Sequence, residues 1–201
     1  MSDDGLLSFW IQAEKYVTEN FPQEISSVEN RKFEDVSPTK FLDAYIYVVL
    51  NSGMKNQIAE KIYKRLCETK SLDVIGHPMK KSAITLATLH YKSWFENLKN
   101  ASDKLEYLDS LPMIGPITKF HLARNIGIDC AKPDRHLVRI AERFGWKDNI
   151  QGMCVKLAAY SGWRIGTVDL ILWRYCNMHG QTQLFAVGQR GELACESQGE
   201  T

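Results

Sequence analysis

No stretch of the sequence alternates cleanly between apolar and polar residues within turn signals, so none reads as a half-buried strand. No apolar run approaches about 18 residues, the length a membrane-crossing helix needs. There is no glycine-rich nucleotide loop and no internal repeat. The five cysteines, Cys67, Cys130, Cys154, Cys176 and Cys195, are scattered and form no CxxC pair. That spacing argues against a zinc site and reads as reduced, mostly buried thiols in a cytosolic protein. The acidic opening MSDDGLLSFW lacks a signal-peptide pattern, so a cytoplasmic location is expected. A net charge of +1 is not that of a strongly basic nucleic-acid binder.

What is present reads as helix. Apolar residues make up 44% of 201 positions, enough to bury a core in one compact domain or two closely joined lobes. Residues 4–20 carry Leu6, Leu7, Trp10, Ile11, Ala13, Tyr16 and Val17 at helical spacing. Residues 21–37 read as polar and irregular, punctuated by Pro22 and Pro38. Ser37 and Pro38 look like the cap and first turn of a helix through Leu50, closed by Asn51-Ser52-Gly53. Further helices are expected over 54–69, 78–98, 102–111, 117–126, 136–144, 152–160 and 167–178, with a polar tail from Gly180. The fold class is therefore all-α.

The charge is unevenly spread. Residues 111–180 hold ten Lys/Arg against five Asp/Glu, whereas residues 1–110 hold fourteen against sixteen. That basic stretch begins with the segment LPMIGPITKFHLARNIGIDCAKPDRHL, Leu111 to Leu137. Pro112 cannot continue a helix, Gly115 is free to take a positive φ, and Pro116 suits the first turn of the helix that Gly127 then ends. A helix that starts on such a turn offers unpaired N–H groups and the positive end of its dipole to an anion. Downstream, Asp134 stands among Lys132, Arg135 and His136. An Asp ahead of an apolar-periodic helix is also a common N-cap, and both roles can hold at once.

Leu111-Pro112-Met113-Ile114-Gly115-Pro116-Ile117-Thr118-Lys119, followed by Pro133-Asp134-Arg135-His136, resembles the helix-hairpin-helix (HhH-GPD) DNA glycosylase superfamily, which includes endonuclease III, the adenine glycosylase MutY and the 8-oxoguanine glycosylases. The resemblance implies two helical lobes with a catalytic cleft between them. One lobe would be built from residues 1–35 and 131–201. The other, a barrel of helices over 36–130, would end in the hairpin motif at about 102–127. It implies an enzyme that flips a damaged or modified base out of double-stranded DNA and cuts its N-glycosidic bond to leave an abasic site. Asp134 would be the catalytic carboxylate, stabilising the oxocarbenium-like sugar and orienting a water. Met113, Gly115, Ile117, Thr118, Lys132, Arg135 and His136 would face the DNA backbone. Met54, Lys55 and Asn56, in the turn at the family's wedge position, would fill the gap left by the base. Tyr45, Trp94, Trp163 and Trp173 are the aromatic candidates for the base pocket, with core packing the competing role for each. A monovalent cation held by hairpin main-chain carbonyls is a further implication, and the protein is expected to act as a monomer. The four-cysteine loop that ends some relatives is missing, so no iron–sulfur cluster is expected.

Two departures from the family pattern matter. Met113 replaces the first hairpin glycine. The lysine nucleophile of bifunctional members would fall at position 113 or 117, and these are Met and Ile. Lys119 lies roughly 200° around the helix from position 117 at 3.6 residues per turn. A monofunctional enzyme that uses water is therefore expected. The alternatives are a glycosylase/lyase that uses Lys119 and a non-catalytic DNA-binding module. The substrate, a repair lesion or a hypermodified phage base, rests on pocket residues outside the matching stretch.

Overall fold

A computed structural model describes residues 3–179, and among these every regular element is helical. The expected polar tail from Gly180, with Cys195, lies outside them. In chain order the helices are α1 (Asp3–Asn20), α2 (Pro22–Glu29), α3 (Pro38–Asn51), α4 (Asn56–Thr69), α5 (Pro78–Asn100), α6 (Lys104–Asp109), α7 (Thr118–Asn125), α8 (Arg135–Arg143), α9 (Ile150–Ser161) and α10 (Ile165–His179). Short 3-10 turns occupy Phe33–Asp35 and Leu72–Val74. Among the described residues, no helix is long and apolar enough to cross a membrane. They group into two compact units: one takes the described parts of residues 1–30 and 129–201, the other residues 31–128.

The first unit is organised around α10. Residues Gly166 to Leu172 of that helix are all buried, as befits a helix enclosed on every side. Leu6, Phe9, Trp10, Ala13 and Val17 of α1, Leu137, Ile140 and Ala141 of α8, and Met153, Cys154 and Leu157 of α9 form one core with it. Here α2 corrects the expectation of an irregular segment over 21–37. Pro22 sits in the first turn, where its missing N–H costs nothing, and Ile25 buries the inner face. Arg174 secures α2 from outside, paired with Glu24 and lying 4.7 Å from the Phe21 ring and 4.9 Å from the Trp173 ring.

In the second unit α3 packs against α4, α5 and α7. Its N-cap is Ser37, whose hydroxyl accepts the Lys40 N–H at 3.2 Å, with Pro38 in the first turn. The buried face of α3, with Phe41, Tyr45, Val48 and Val49, meets Ala83, Ile84, Ala87 and Phe95 of α5. Helix α4 begins at Asn56, two residues later than expected. Gly127 ends α7 with φ +82°, and a Cβ there would lie 2.6 Å from the Lys32 backbone. Only glycine meets both demands.

Candidate active site

The loop from Asp129 to Asp134 is fixed at nearly every residue. Asp129 accepts the Gly166 N–H at 2.9 Å and faces the Arg164 guanidinium at 3.8 Å. The Gln151 carboxamide grips both polar groups of Ala131: its oxygen accepts the Ala131 N–H at 3.1 Å and its nitrogen donates to the Ala131 carbonyl. Ala131 is fully buried, so this pairing satisfies groups that water cannot reach. The carboxylate of Asp169, 1% exposed on α10, accepts the Lys132 N–H at 2.9 Å. A tight turn, Asp134 N–H to the Lys132 carbonyl at 2.7 Å, completes the loop.

This scaffold delivers Asp134 to the N-terminus of α8. Its Oδ1 accepts the His136 and Leu137 N–H groups at 2.8 and 3.2 Å. Its Oδ2 takes part in no hydrogen bond among the described residues. The cap role and an available carboxylate oxygen thus coexist. Beneath it, Cys176 of α10 is buried, and its thiol is pushed up to about 11, first by burial and then by the Asp134 and Arg139 charges, which oppose each other. The α8 sequence is sharply two-faced: Leu137, Ile140 and Ala141 are buried, while Arg135 and Arg139 are exposed one helical turn apart. Arg135 Nε donates to His136 Nε2 at 3.4 Å. Burial lowers the His136 pKa below the ordinary 6.5; the Asp134 charge opposes that shift, and Arg135 and Arg139 add to it.

The hairpin belongs to the second unit, and its geometry corrects the expectation about its turn. Met113 carries φ +60°, whereas Gly115 is not in the left-handed region. The position where the family pattern has glycine is thus the strained one. Its methionine bears a cost of roughly 1–2 kcal/mol for left-handed backbone. A Cβ at Gly115 would meet only Thr118 Oγ1, at 4.0 Å. The Gly115 N–H donates to that hydroxyl at 2.7 Å, and α7 starts at Thr118, one residue later than expected, so Pro116 lies ahead of it. The N–H groups of Met113, Ile117 and Thr118 make no hydrogen bond among the described residues, so these three can meet an anion. Tyr45, fully buried, reaches the turn from below and donates its hydroxyl to the Pro112 carbonyl at 2.6 Å. Burial drives the Tyr45 pKa up, so the phenol stays a donor. Lys119 points back to α6, with its ammonium 2.9 Å from the Asp109 carboxylate.

The aromatic and wedge candidates fall in separate places. Tyr45 and Trp94 share an edge contact, ring centroids 5.6 Å apart, in the second unit. In the first unit Trp163 donates its indole N–H to Glu14 at 2.6 Å and walls a hollow of about 330 Å³ over α1 and α2. Trp173 is the partly buried partner of Arg174. In the turn after α3, Lys55 is exposed, Met54 is partly buried and Asn56 is held by three hydrogen bonds. Sequence reasoning missed Gln151 and Asp169. A signal existed for Asp169, a lone carboxylate inside a helix rich in large apolar residues. Gln151 carries no such mark.

Neither a family model nor a curated protein matches the sequence. Two solved structures are similar in fold. One is the Methanocaldococcus jannaschii 8-oxoguanine glycosylase/lyase, in complex with 15mer DNA containing 8-oxoguanine. It is 16% identical with a TM-score of 0.66, over 81% of this chain and 94% of that one. The other is the Thermotoga maritima 8-oxoguanine DNA glycosylase, 18% identical with a TM-score of 0.66, over 85% of this chain and 95% of that one.

Proposed function

We propose that this protein is a DNA glycosylase that hydrolyses the N-glycosidic bond of a base extruded from duplex DNA. The observation that carries the reading is Asp134: a carboxylate on a loop clamped by Gln151 and Asp169, one oxygen capping α8 and the other unengaged. The likeness in fold to two 8-oxoguanine glycosylases supports it. As the bond to the base breaks, its electron pair leaves with the base and positive charge grows on the sugar. The Asp134 carboxylate stabilises that charge and takes a proton from the attacking water, whose oxygen forms the new bond to C1′. The products are a free base and an abasic site in an intact strand. Arg135 and Arg139 supply phosphate contacts, and the free N–H groups of the hairpin add contacts that do not read sequence. The Met113 and Ile114 carbonyls accept no hydrogen bond among the described residues, so they are the hairpin acceptors open to a monovalent cation.

Lys119 supports water rather than an amine as the nucleophile. Its ammonium is engaged with Asp109, and the neighbouring positions 113 and 117 carry no amine. The competing reading, a glycosylase/lyase, draws on the lyase activity named for the Methanocaldococcus jannaschii protein. One experiment separates the two and addresses the substrate. Labelled duplexes carrying 8-oxoguanine, oxidised pyrimidines, alkylated purines or mispaired bases, together with hypermodified phage DNA, are incubated with the protein and resolved with and without alkali. Scission that requires alkali supports the proposal. Scission without alkali, with borohydride trapping lost in Lys119→Ala, selects the lyase. No abasic product from any substrate refutes both.

A further inference from the structure

The peptide that joins Ala131 to Lys132 is gripped at both of its polar groups, and the two grips come from different helices. Its N–H, on Lys132, donates to the Asp169 carboxylate of α10 at 2.9 Å. Its carbonyl, on Ala131, accepts from the Gln151 carboxamide of α9. Among the described residues no peptide bond is cis, and the N–H and C=O of a planar trans peptide point in opposite directions. This plane is therefore held between α9 and α10, and it cannot turn without losing a bond at one end. The next peptide is tied as well, since the Asp134 N–H closes on the Lys132 carbonyl at 2.7 Å. From the gripped plane to Asp134 the chain runs through Lys132 and Pro133 alone, and the proline ring fixes one of the few dihedrals left.

The acceptor on α10 need not carry a charge to make its bond. An asparagine oxygen would accept the same N–H without placing an ion at a position that is 1% exposed, between the buried Val168 and Leu170. The charge is felt by its surroundings: the Cys154 thiol is pushed up, first by burial and then by the Asp169 carboxylate. What a carboxylate adds is strength and polarisation. A charged acceptor holds an N–H about twice as strongly as a neutral one. It also shifts electron density through the amide onto the carbonyl oxygen, which makes that oxygen a better acceptor in its turn. We infer that Asp169 is a positioning residue for the hydrolysis and that it acts through its charge. It polarises the Ala131–Lys132 peptide, tightens the Gln151 bond on the far side of that plane, and so fixes the turn that presents Asp134. This rests on the glycosylase reading, in which Asp134 acts on the sugar and the water.

The test uses Asp169→Asn, Asp169→Leu, Gln151→Met and the double variant of Asp169→Asn with Gln151→Met, all in the full chain. One readout needs no substrate: the chemical shifts of the Lys132 amide proton and the Ala131 carbonyl carbon in isotope-labelled protein. In Asp169→Asn both move upfield, the second because the bond on the opposite side of the peptide has weakened. The other readout is single-turnover excision of the base that wild type releases from the substrate panel, with duplex affinity in parallel. Excision falls about tenfold in Asp169→Asn, the step from a charged to a neutral acceptor. It falls about a hundredfold in Asp169→Leu, as a misplacement of about 1 Å does, and affinity stays within about twofold in both. The double variant loses less than the product of the two single losses, by more than about twofold, because both changes act on one peptide. Asp169→Asn that excises at the wild-type rate, single losses that multiply to within about twofold, an Ala131 carbonyl shift that does not move, or an affinity that falls in step with excision overturns the inference. Should Asp169→Leu fail to fold, Asp169→Asn and the double variant decide it. Wild type that releases no base from the panel, with both shifts moving as expected, refutes the glycosylase reading and supports the polarised grip.

Discussion

Gln151→Met replaces the residue that grips Ala131 with an apolar side chain of similar length. It removes an acceptor from the Ala131 N–H and a donor from the Ala131 carbonyl, and Ala131 is fully buried. Each buried backbone group left without a partner costs about 1–3 kcal/mol, so the pair amounts to roughly 2–6 kcal/mol before the loop relaxes. For a chain of this size each kcal/mol lowers the Tm by about 2–4 °C, which gives a fall of roughly 4–24 °C. Hydrogen exchange at Ala131 and Lys132 locates the loss, because the amides of a loosened loop open below the global stability. The same change moves Asp134, three residues on, so single-turnover excision falls while duplex affinity holds. Gln151→Glu keeps an acceptor for the N–H but sets an oxygen against the carbonyl, and falls between wild type and Gln151→Met. A Gln151→Met protein within about 0.5 kcal/mol of wild type, with unchanged exchange at Ala131, would refute the claim that this clamp builds the loop.

Other expectations follow from the hairpin and from α8. Met113→Gly is neutral to stabilising, because relief of left-handed strain of about 1–2 kcal/mol exceeds glycine's entropy cost of about 0.5–1 kcal/mol. Met113→Ile is destabilising, since a β-branched residue tolerates positive φ worst, and thermal melts of the two variants check the sign. Gly115→Ala leaves the melt within about 0.5 kcal/mol of wild type, because its φ is ordinary and its Cβ has room; a larger drop would contradict the turn geometry. His136 has its pKa lowered from 6.5, chiefly by burial. The folded state therefore binds fewer protons at this site than the unfolded chain, so its contribution to stability is full above pH 6.5 and is lost as pH falls through the folded pKa. His136→Asn flattens the stability curve below that point, and urea titrations at several pH values that give the same slope in both proteins would refute the assignment.

Much of the fold was legible because periodicity and caps agree: Ser37-Pro38 opens α3 as their chemistry requires, and α1, α5 and α10 carry long apolar patterns. Helix α2 escaped because Pro22 marks both a break and a helix start, and just two apolar residues, Ile25 and Val28, follow it. LPMIGP announced a turn through composition, but composition does not say which residue takes the left-handed conformation. The path into α7 decides that, and it falls on Met113. The place of Asp134 ahead of α8 was readable as a cap and a candidate carboxylate. The residues that fix its loop were not. Gln151 lies 20 positions from Ala131 and Asp169 lies 37 from Lys132, distances over which sequence spacing carries no signal.

Asp134→Asn tests the central claim most directly. Asparagine caps a helix about as well as aspartate, so fold and α8 should survive with a change of at most about 1 kcal/mol. What disappears is the negative charge that the proposed mechanism sets against the sugar. The assay is a single-turnover time course on a labelled duplex carrying the excised base, quantified as alkali-labile sites, with duplex affinity measured in parallel. The account predicts a fall in excision of at least about a hundredfold, the scale set by loss of one electrostatic stabiliser, with affinity nearly unchanged. Excision by Asp134→Asn at the wild-type rate would contradict it.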